Sequence, residues 1–369
     1  MAIKSRALED LGVSASFWRG KRVLITGHTG FKGSWLCLWL QKMGAVVAGY
    51  ALPPVSDGSL FQLAAVSDVL DSSVYADIRD LEQLIETTKH FQPEIVFHLA
   101  AQPLVRLSYA QPVDTFHINV MGAVNVLETV RCQGSCRVAV VITSDKCYAN
   151  SEWVWGYRET DPVGGYDPYS SSKACVELVT SAYRQSYFEG SSAPTTALAS
   201  ARAGNVIGGG DFAKDRLIPD VMAAVMEGKI VRIRSPNAIR PWQHVLEPLC
   251  GYLLLAERLW DDPEHFSEGW NFGPSLEDAR SVEWILGALA ERLGSRLRWE
   301  IDAGPAPHEA HLLTLDSTKA RTLLGWHPRW DLYTALGAVT EWWQAYERRE
   351  PLRDVVIRQI DAYESCNRS

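Results

Sequence analysis

The run Lys21-Arg22-Val23-Leu24-Ile25-Thr26 passes directly into Gly27-His28-Thr29-Gly30-Phe31-Lys32-Gly33, and from there into the helically spaced apolar residues of Ser34 to Met43. A short β-branched run without polar alternation is a strand covered on both faces, the habit of parallel sheets. Parallel neighbours cannot be joined by a tight turn, so the chain is committed to strand–helix–strand crossovers. Glycines three residues apart at such a junction allow a tight turn, a close approach of backbone to ligand, and close packing of helix on strand. The helix start behind them offers free amides to a pyrophosphate. Gly27, Thr29, Gly30, Phe31 and Gly33 are therefore candidate contacts to a dinucleotide.

The same alternation continues. Ala45 to Tyr50, Glu94 to His98, Val138 to Ile142 and Thr195 to Ala203 read as further strands, with helical spacing over Ile118 to Val130 and Cys175 to Phe188. The expected fold class is α/β, a Rossmann-type doubly wound parallel sheet whose ligands sit beyond the carboxyl ends of the strands. After Asn205 the pattern breaks into a glycine loop at Gly208 to Gly210, a helix over Leu217 to Gly228, short strands and scattered prolines. This predicts a smaller mixed C-terminal substrate lobe. Residues 1–204 form the dinucleotide-binding domain, and 205–369 form mainly the lobe, with some segments returning to the core. Leu332 to Arg349 reads as an amphipathic helix, and the tail after Pro351 is expected to pack on a partner subunit.

Composition narrows the function. The 369 residues suffice for a full α/β core and a second lobe, and a formal net charge of −8 argues against a nucleic-acid scaffold. No stretch reaches the roughly 18 apolar residues of a membrane span, and Met1 to Gly20 carries no signal-like apolar run. Seven scattered cysteines without metal-ligand spacing suggest free thiols in a reducing cytoplasm and no metal site. The fourteen tryptophans are expected mostly in the core.

The chemistry-bearing residues are Ser144-Asp145-Lys146 at the end of one strand and Tyr169, four residues before Lys173, on the next helix. Residues four apart share a helix face, where an ammonium can lower a phenol's pKa toward that of a base. Of the Ser-Asp-Lys triplet, a simple alcohol oxidation beside Tyr169 needs only the hydroxyl of Ser144. Asp145 and Lys146 add an acid and an amine. Gly49-Tyr50-Ala51 closes the second strand with neither an acid for a ribose hydroxyl nor an arginine for a 2′-phosphate.

Glycine turn, Ser-Asp-Lys and Tyr-x-x-x-Lys in this order resemble the extended short-chain dehydrogenase/reductases. The stretches Gly27 to Trp35, His98 to Tyr109, Thr143 to Tyr148, Trp153 to Tyr157, Gly164 to Lys173, Arg202 to Asp211, Asp215 to Asp220, Ile239 to Val245, Gly269 to Pro274 and His308 to Ala310 resemble the nucleotide-sugar 4,6-dehydratases, and within them the CDP-glucose subgroup. That resemblance implies bound NAD, with Asp77 and Ile78 at its adenine. Leu99, Ala100, Ala101 and Gln102 would wall the ribose and nicotinamide, beside Thr143, Tyr169 and Lys173. It implies CDP-glucose as substrate, in deoxysugar synthesis of the lipopolysaccharide type. Asn205, Asp215, Arg216, Leu217, Arg240 and the His308-Glu309 turn would hold the nucleotide sugar, while Arg106 and Arg202 would brace the site from behind. It also implies a homodimer or homotetramer through a four-helix interface built from Ile118 to Val130 and Cys175 to Phe188. The dTDP-glucose enzymes usually carry glutamate where this chain has Lys146. Either Lys146 is the base for the sugar C5 proton, or it only pairs with Asp145 while another group does that work.

Overall fold

The computed structural model describes residues 12–54, 58–189, 196–302 and 312–366. Its centre is a seven-stranded sheet, with every neighbouring pair parallel. Six strands come from the first half: β1 (Arg22–Thr26), β2 (Val46–Ala51), β3 (Ser72–Tyr75), β4 (Ile95–His98), β5 (Val138–Ile142) and β6 (Ala197–Ala203). The seventh, Gly269–Phe272, returns from the C-terminal half to lie beside β6. The spatial order is Gly269–Phe272, β6, β5, β4, β1, β2, β3. The winding reverses between β1 and β4, which opens a crevice at their carboxyl ends.

Burial explains the strand compositions: all five residues of β5 and all seven of β6 are buried. One face of the sheet packs on Leu81–Phe91, Gly122–Gln133 and Pro168–Tyr183. The other packs on Phe31–Lys42, Leu246–Asp261, Leu332–Glu347 and Leu352–Ser365, and Trp35, Trp39, Trp270, Trp342 and Trp343 are buried there. The Phe31–Lys42 helix begins three residues earlier than apolar spacing suggested, because Gly30 serves as its N-cap.

The tail corrects an expectation. Instead of waiting for a partner subunit, Leu352–Ser365 packs on the Phe31–Lys42 helix of its own chain. Val355, Val356, Ile360 and Tyr363 are fully buried there, and Trp39 Nε1 donates to Glu364 at 2.7 Å. Three small strand pairs, Val206–Ile207 with Gln243–His244, Ile230–Ile233 with Arg298–Ile301 and Ile239–Pro241 with Ala279–Ser281, join the helices Leu217–Glu227 and Val282–Leu293 in the mixed region beside the crevice.

Candidate active site

A cavity of about 1750 Å³ lies along the strand ends, lined by the glycine turn, the residues after β4 and β5, and the mixed region. At its floor the glycines have definite steric duties. Gly27 has φ +77°, and a Cβ on it would lie 2.7 Å from the Ala100 amide nitrogen. A Cβ on Gly33 would lie 2.2 Å from the Gly27 carbonyl oxygen. No side chain caps the helix that starts at Phe31, so its first amides are left for a ligand. Gly49 is small for a different reason. The buried His28 ring occupies the place a Cβ would take, held by a 2.8 Å hydrogen bond between Nε2 and Ser73 Oγ.

This cradle fits a dinucleotide. Thr29, Asp77, Ile78, Leu99, Ala100, Ala101 and Thr143 all line the cavity. The Asp77 carboxylate is engaged by Arg79, whose Nη2 lies 2.7 Å away, which holds it below the usual carboxylate range. Gln102 departs from expectation: it is not on the cavity wall. Its side chain turns inward, where Nε2 donates to Thr115 Oγ1 at 2.9 Å and Oε1 accepts the Leu104 amide at 2.5 Å, so it shapes the loop from behind.

Tyr169 and Lys173 lie on the buried face of the Pro168–Tyr183 helix, which Asp167 caps by accepting the Ser170 amide. Burial pushes the Tyr169 phenol up to about 12, and Asp145 adds to the rise, while a hydrogen bond with Ser144 and the Arg216 guanidinium oppose it. Lys173 is pushed down to about 8 by burial, against the pull of Glu177. Its ammonium donates to the Ile142 carbonyl at 3.3 Å. The influences that lower the phenol here are Ser144 and Arg216, while the Lys173 ammonium is held by the strand end.

Just beyond β5, Ser144 caps a short helical turn over Asp145–Cys147. Ser144 Oγ donates to Asp145 Oδ1 at 2.8 Å and accepts the Lys146 amide at 3.3 Å. Asp145 is 1% exposed, and its Oδ2 has no hydrogen-bond partner among the described residues. Gly204 leaves room for that oxygen, since a Cβ there would stand 3.0 Å from it. Lys146 Nζ lies 3.8 Å from Asp145 Oδ1 with a third of the side chain exposed. Serine hydroxyl, free carboxylate oxygen, amine and phenol thus surround one end of the cavity.

Of the nucleotide-sugar candidates, Asn205, Asp215, Arg216, Leu217 and Arg240 all line the cavity. Asn205 Oδ1 is buried without a hydrogen-bond partner among the described residues. Arg216 Nη1 donates to Asp211 at 2.9 Å, and Arg240 is buried with Nη1 donating to the Ile239 carbonyl at 2.9 Å. Asp215 has φ +62° and lies between Arg106, 2.7 Å away, and Arg234, 3.7 Å away. Arg106 therefore stands at the cavity rather than behind it, whereas Arg202 does lie behind, paired with Glu177. His308 and Glu309 lie outside the described residues.

Two residues escaped the sequence reading. Lys32, inside the glycine turn, lines the cavity and is pushed down to about 7 by burial, with Arg216 and Lys173 adding and Asp145 and Asp211 opposing. A lysine in the first turn of a helix, where the dipole disfavours a cation, was the available signal. Glu177 was signalled by its place four residues after Lys173.

Fold, glycine cradle and Tyr-Lys-Ser cluster define a dinucleotide-binding protein of the extended short-chain dehydrogenase/reductase class. The chain belongs within it to the GDP-mannose 4,6 dehydratase family, whose profile matches residues 24–337. It is 54% identical over 356 residues to a CDP-glucose 4,6-dehydratase from Salmonella typhimurium, covering 96% of this chain and 99% of that one. A UDP-glucose 4-epimerase from Mycoplasma pneumoniae is 26% identical over 89% of this chain and 98% of its own. Among solved structures, a dTDP-glucose 4,6-dehydratase from Bacillus anthracis in complex with NAD superposes with a TM-score of 0.73. The match covers 90% of this chain and 100% of that one at 19% identity, and speaks to the fold.

Proposed function

We propose that this chain is an NAD-dependent 4,6-dehydratase that converts CDP-glucose to CDP-4-keto-6-deoxyglucose and water. The carrying observation is the turn after β5, which sets a buried, half-free carboxylate and an amine beside Tyr169. The 54% identity to a CDP-glucose 4,6-dehydratase supports the same reading and the choice of nucleotide. A 4-epimerase needs the tyrosine but neither an acid nor a C5 base.

NAD, held at the glycine cradle, would take the hydride from the sugar C4 and return it to C6. Tyr169, hydrogen-bonded to Ser144, takes the O4 proton as the C4 ketone forms. Lys173 supplies positive charge beneath it. The ketone acidifies the C5 proton, which Lys146 removes. Asp145 protonates the C6 hydroxyl, the C6–O bond breaks to release water, and as hydride reaches C6 of the resulting enone Lys146 returns a proton to C5. Arg216 and Arg240 face the diphosphate, where guanidinium forks match phosphate oxygens. Asn205, Asp215 and Leu217 complete the wall. We assign the mixed region of residues 205–369 to the nucleotide sugar, and place the enzyme in the cytoplasm in deoxysugar synthesis of the lipopolysaccharide type. Two copies would pair through a four-helix interface, for which exposed Met121, Leu178 and Tyr187 offer apolar surface. Incubation with CDP-glucose, followed by alkaline absorbance of the 4-keto sugar, tests the reading. A product that is only a 4-epimer would refute it.

A further inference from the structure

A layer of buried polar side chains lies beneath the reacting groups. On the Pro168–Tyr183 helix, Tyr169, Lys173 and Glu177 follow at four-residue intervals, and all three are buried. The Glu177 carboxylate is shared among two neighbouring strands. One oxygen accepts the Thr143 hydroxyl at the end of β5. The other accepts Ser200 Oγ at 2.6 Å and Arg202 Nη2 at 2.8 Å, both from β6. Arg202 Nη1 continues to Tyr148 Oη at 2.6 Å, and that hydroxyl donates to Asn271 Oδ1 at 2.8 Å. Thr143 and Tyr148 are the residues that bracket the turn carrying Ser144, Asp145 and Lys146. One buried ion pair therefore grips both ends of that turn and the helix that faces it.

We propose that Glu177, paired with Arg202, is a positioning residue that lays a buried negative charge one helical turn beyond Lys173 and sets the Ser144–Lys146 turn against Tyr169. The assignment rests on the dehydratase reading only for which step suffers. The electrostatics agree with the geometry. Burial disfavours the Lys173 ammonium and Glu177 is the largest opposing influence. Lys32 from the Phe31–Lys42 helix and His98 from β4 also face Lys173, and neither supplies a negative charge. Arg202 and the hydroxyls of Ser200 and Thr143 hold Glu177 ionised against its own burial. A buried pair of this kind is costly to break from one side, so removing only Glu177 strands the arginine.

The test uses Glu177→Gln, Glu177→Gln with Arg202→Gln so that no lone charge remains, and Thr143→Val. Two quantities are followed against pH: kcat/KM for CDP-glucose, and trace acetylation of Lys173 read by mass spectrometry. In Glu177→Gln the acetylation midpoint and the high-pH limb of kcat/KM should fall by about one pH unit or more, the effect expected of losing a neighbouring anion, and in the double variant, which also loses the Arg202 cation, they should fall by less. Thr143→Val, which leaves the charge in place, should lower kcat several-fold with the midpoint unmoved. An unchanged midpoint in folded Glu177→Gln would overturn the charge assignment, and unchanged kcat in Thr143→Val would overturn the bracket. If the wild type forms no 4-keto sugar the dehydratase reading fails, while the acetylation midpoints still decide the role of Glu177.

Discussion

Tyr169 illustrates how far a residue's role depends on what surrounds it. Its phenol is pushed up to about 12 by burial, so it can serve as a base only with the proton drawn off in a tight hydrogen-bonded complex. Phenylalanine keeps the ring and its packing. Tyr169→Phe should therefore bind NAD and nucleotide sugar nearly as the wild type does, while kcat falls by about a hundred- to ten-thousand-fold; isothermal titration beside turnover measurements checks both halves. Lys146 is the sharper case, because its ion-pair distance to Asp145 fits both a base and a bystander. Lys146→Met should abolish incorporation of solvent deuterium at the sugar C5. Asp145→Asn, run beside it, should block water loss while C5 exchange continues. Exchange at the wild-type rate in Lys146→Met would reduce the lysine to a structural partner.

The C-terminal helix Leu352–Ser365 packs through its apolar face and is also tied down by one buried acid. Glu247 accepts the amides of Arg329 and Trp330 and, at 2.7 Å, the hydroxyl of Tyr363, tying tail and connecting loop to the Leu246–Asp261 helix. Burial pushes Glu247 up to about 7, with those hydrogen bonds opposing. Because its folded pKa lies above the unfolded value of about 4.3, the folded state holds an extra proton between the two. The associated stability is full below about pH 4.3 and is lost as pH rises to about 7, by at most about 1.4 kcal/mol per unit. Glu247→Gln cannot ionise. Urea unfolding at about pH 5 and pH 7.5 should show a variant less stable at the lower pH, with a flatter dependence on pH than the wild type.

At the scale of the whole molecule, a face consistent with self-association is the one opposite the C-terminal helices. Leu178 is 60% exposed at the middle of the Pro168–Tyr183 helix, on the side away from Tyr169 and Lys173. A single isolated apolar residue there would mean little, but Met121 and Tyr187 are exposed on the same layer. Leu178→Glu should convert a dimer to monomers in sedimentation velocity with little change in thermal stability. An unaltered sedimentation coefficient for a dimeric wild type would move the interface elsewhere.

Local chemistry determined much of this protein without any tertiary information. The apolar run of β5 announces a strand buried on both faces, and the glycine turn announces a cradle, because each depends only on neighbours in sequence. The Ser144–Lys146 and Tyr169–Lys173 groups were legible for the same reason: a strand end and a four-residue helix interval position them. Other features depend on contacts between distant segments. The Gln102 side chain turned inward because Thr115 and the Leu104 amide receive it, Arg106 paired with Asp215 at the cavity, and the tail docked on its own chain because the apolar face of Leu352–Ser365 packs beside Trp39. The direction of the Tyr169 and Lys173 shifts was likewise settled by the fold. Spacing brings the two side chains near one another, but only the packed structure says how much water each has lost.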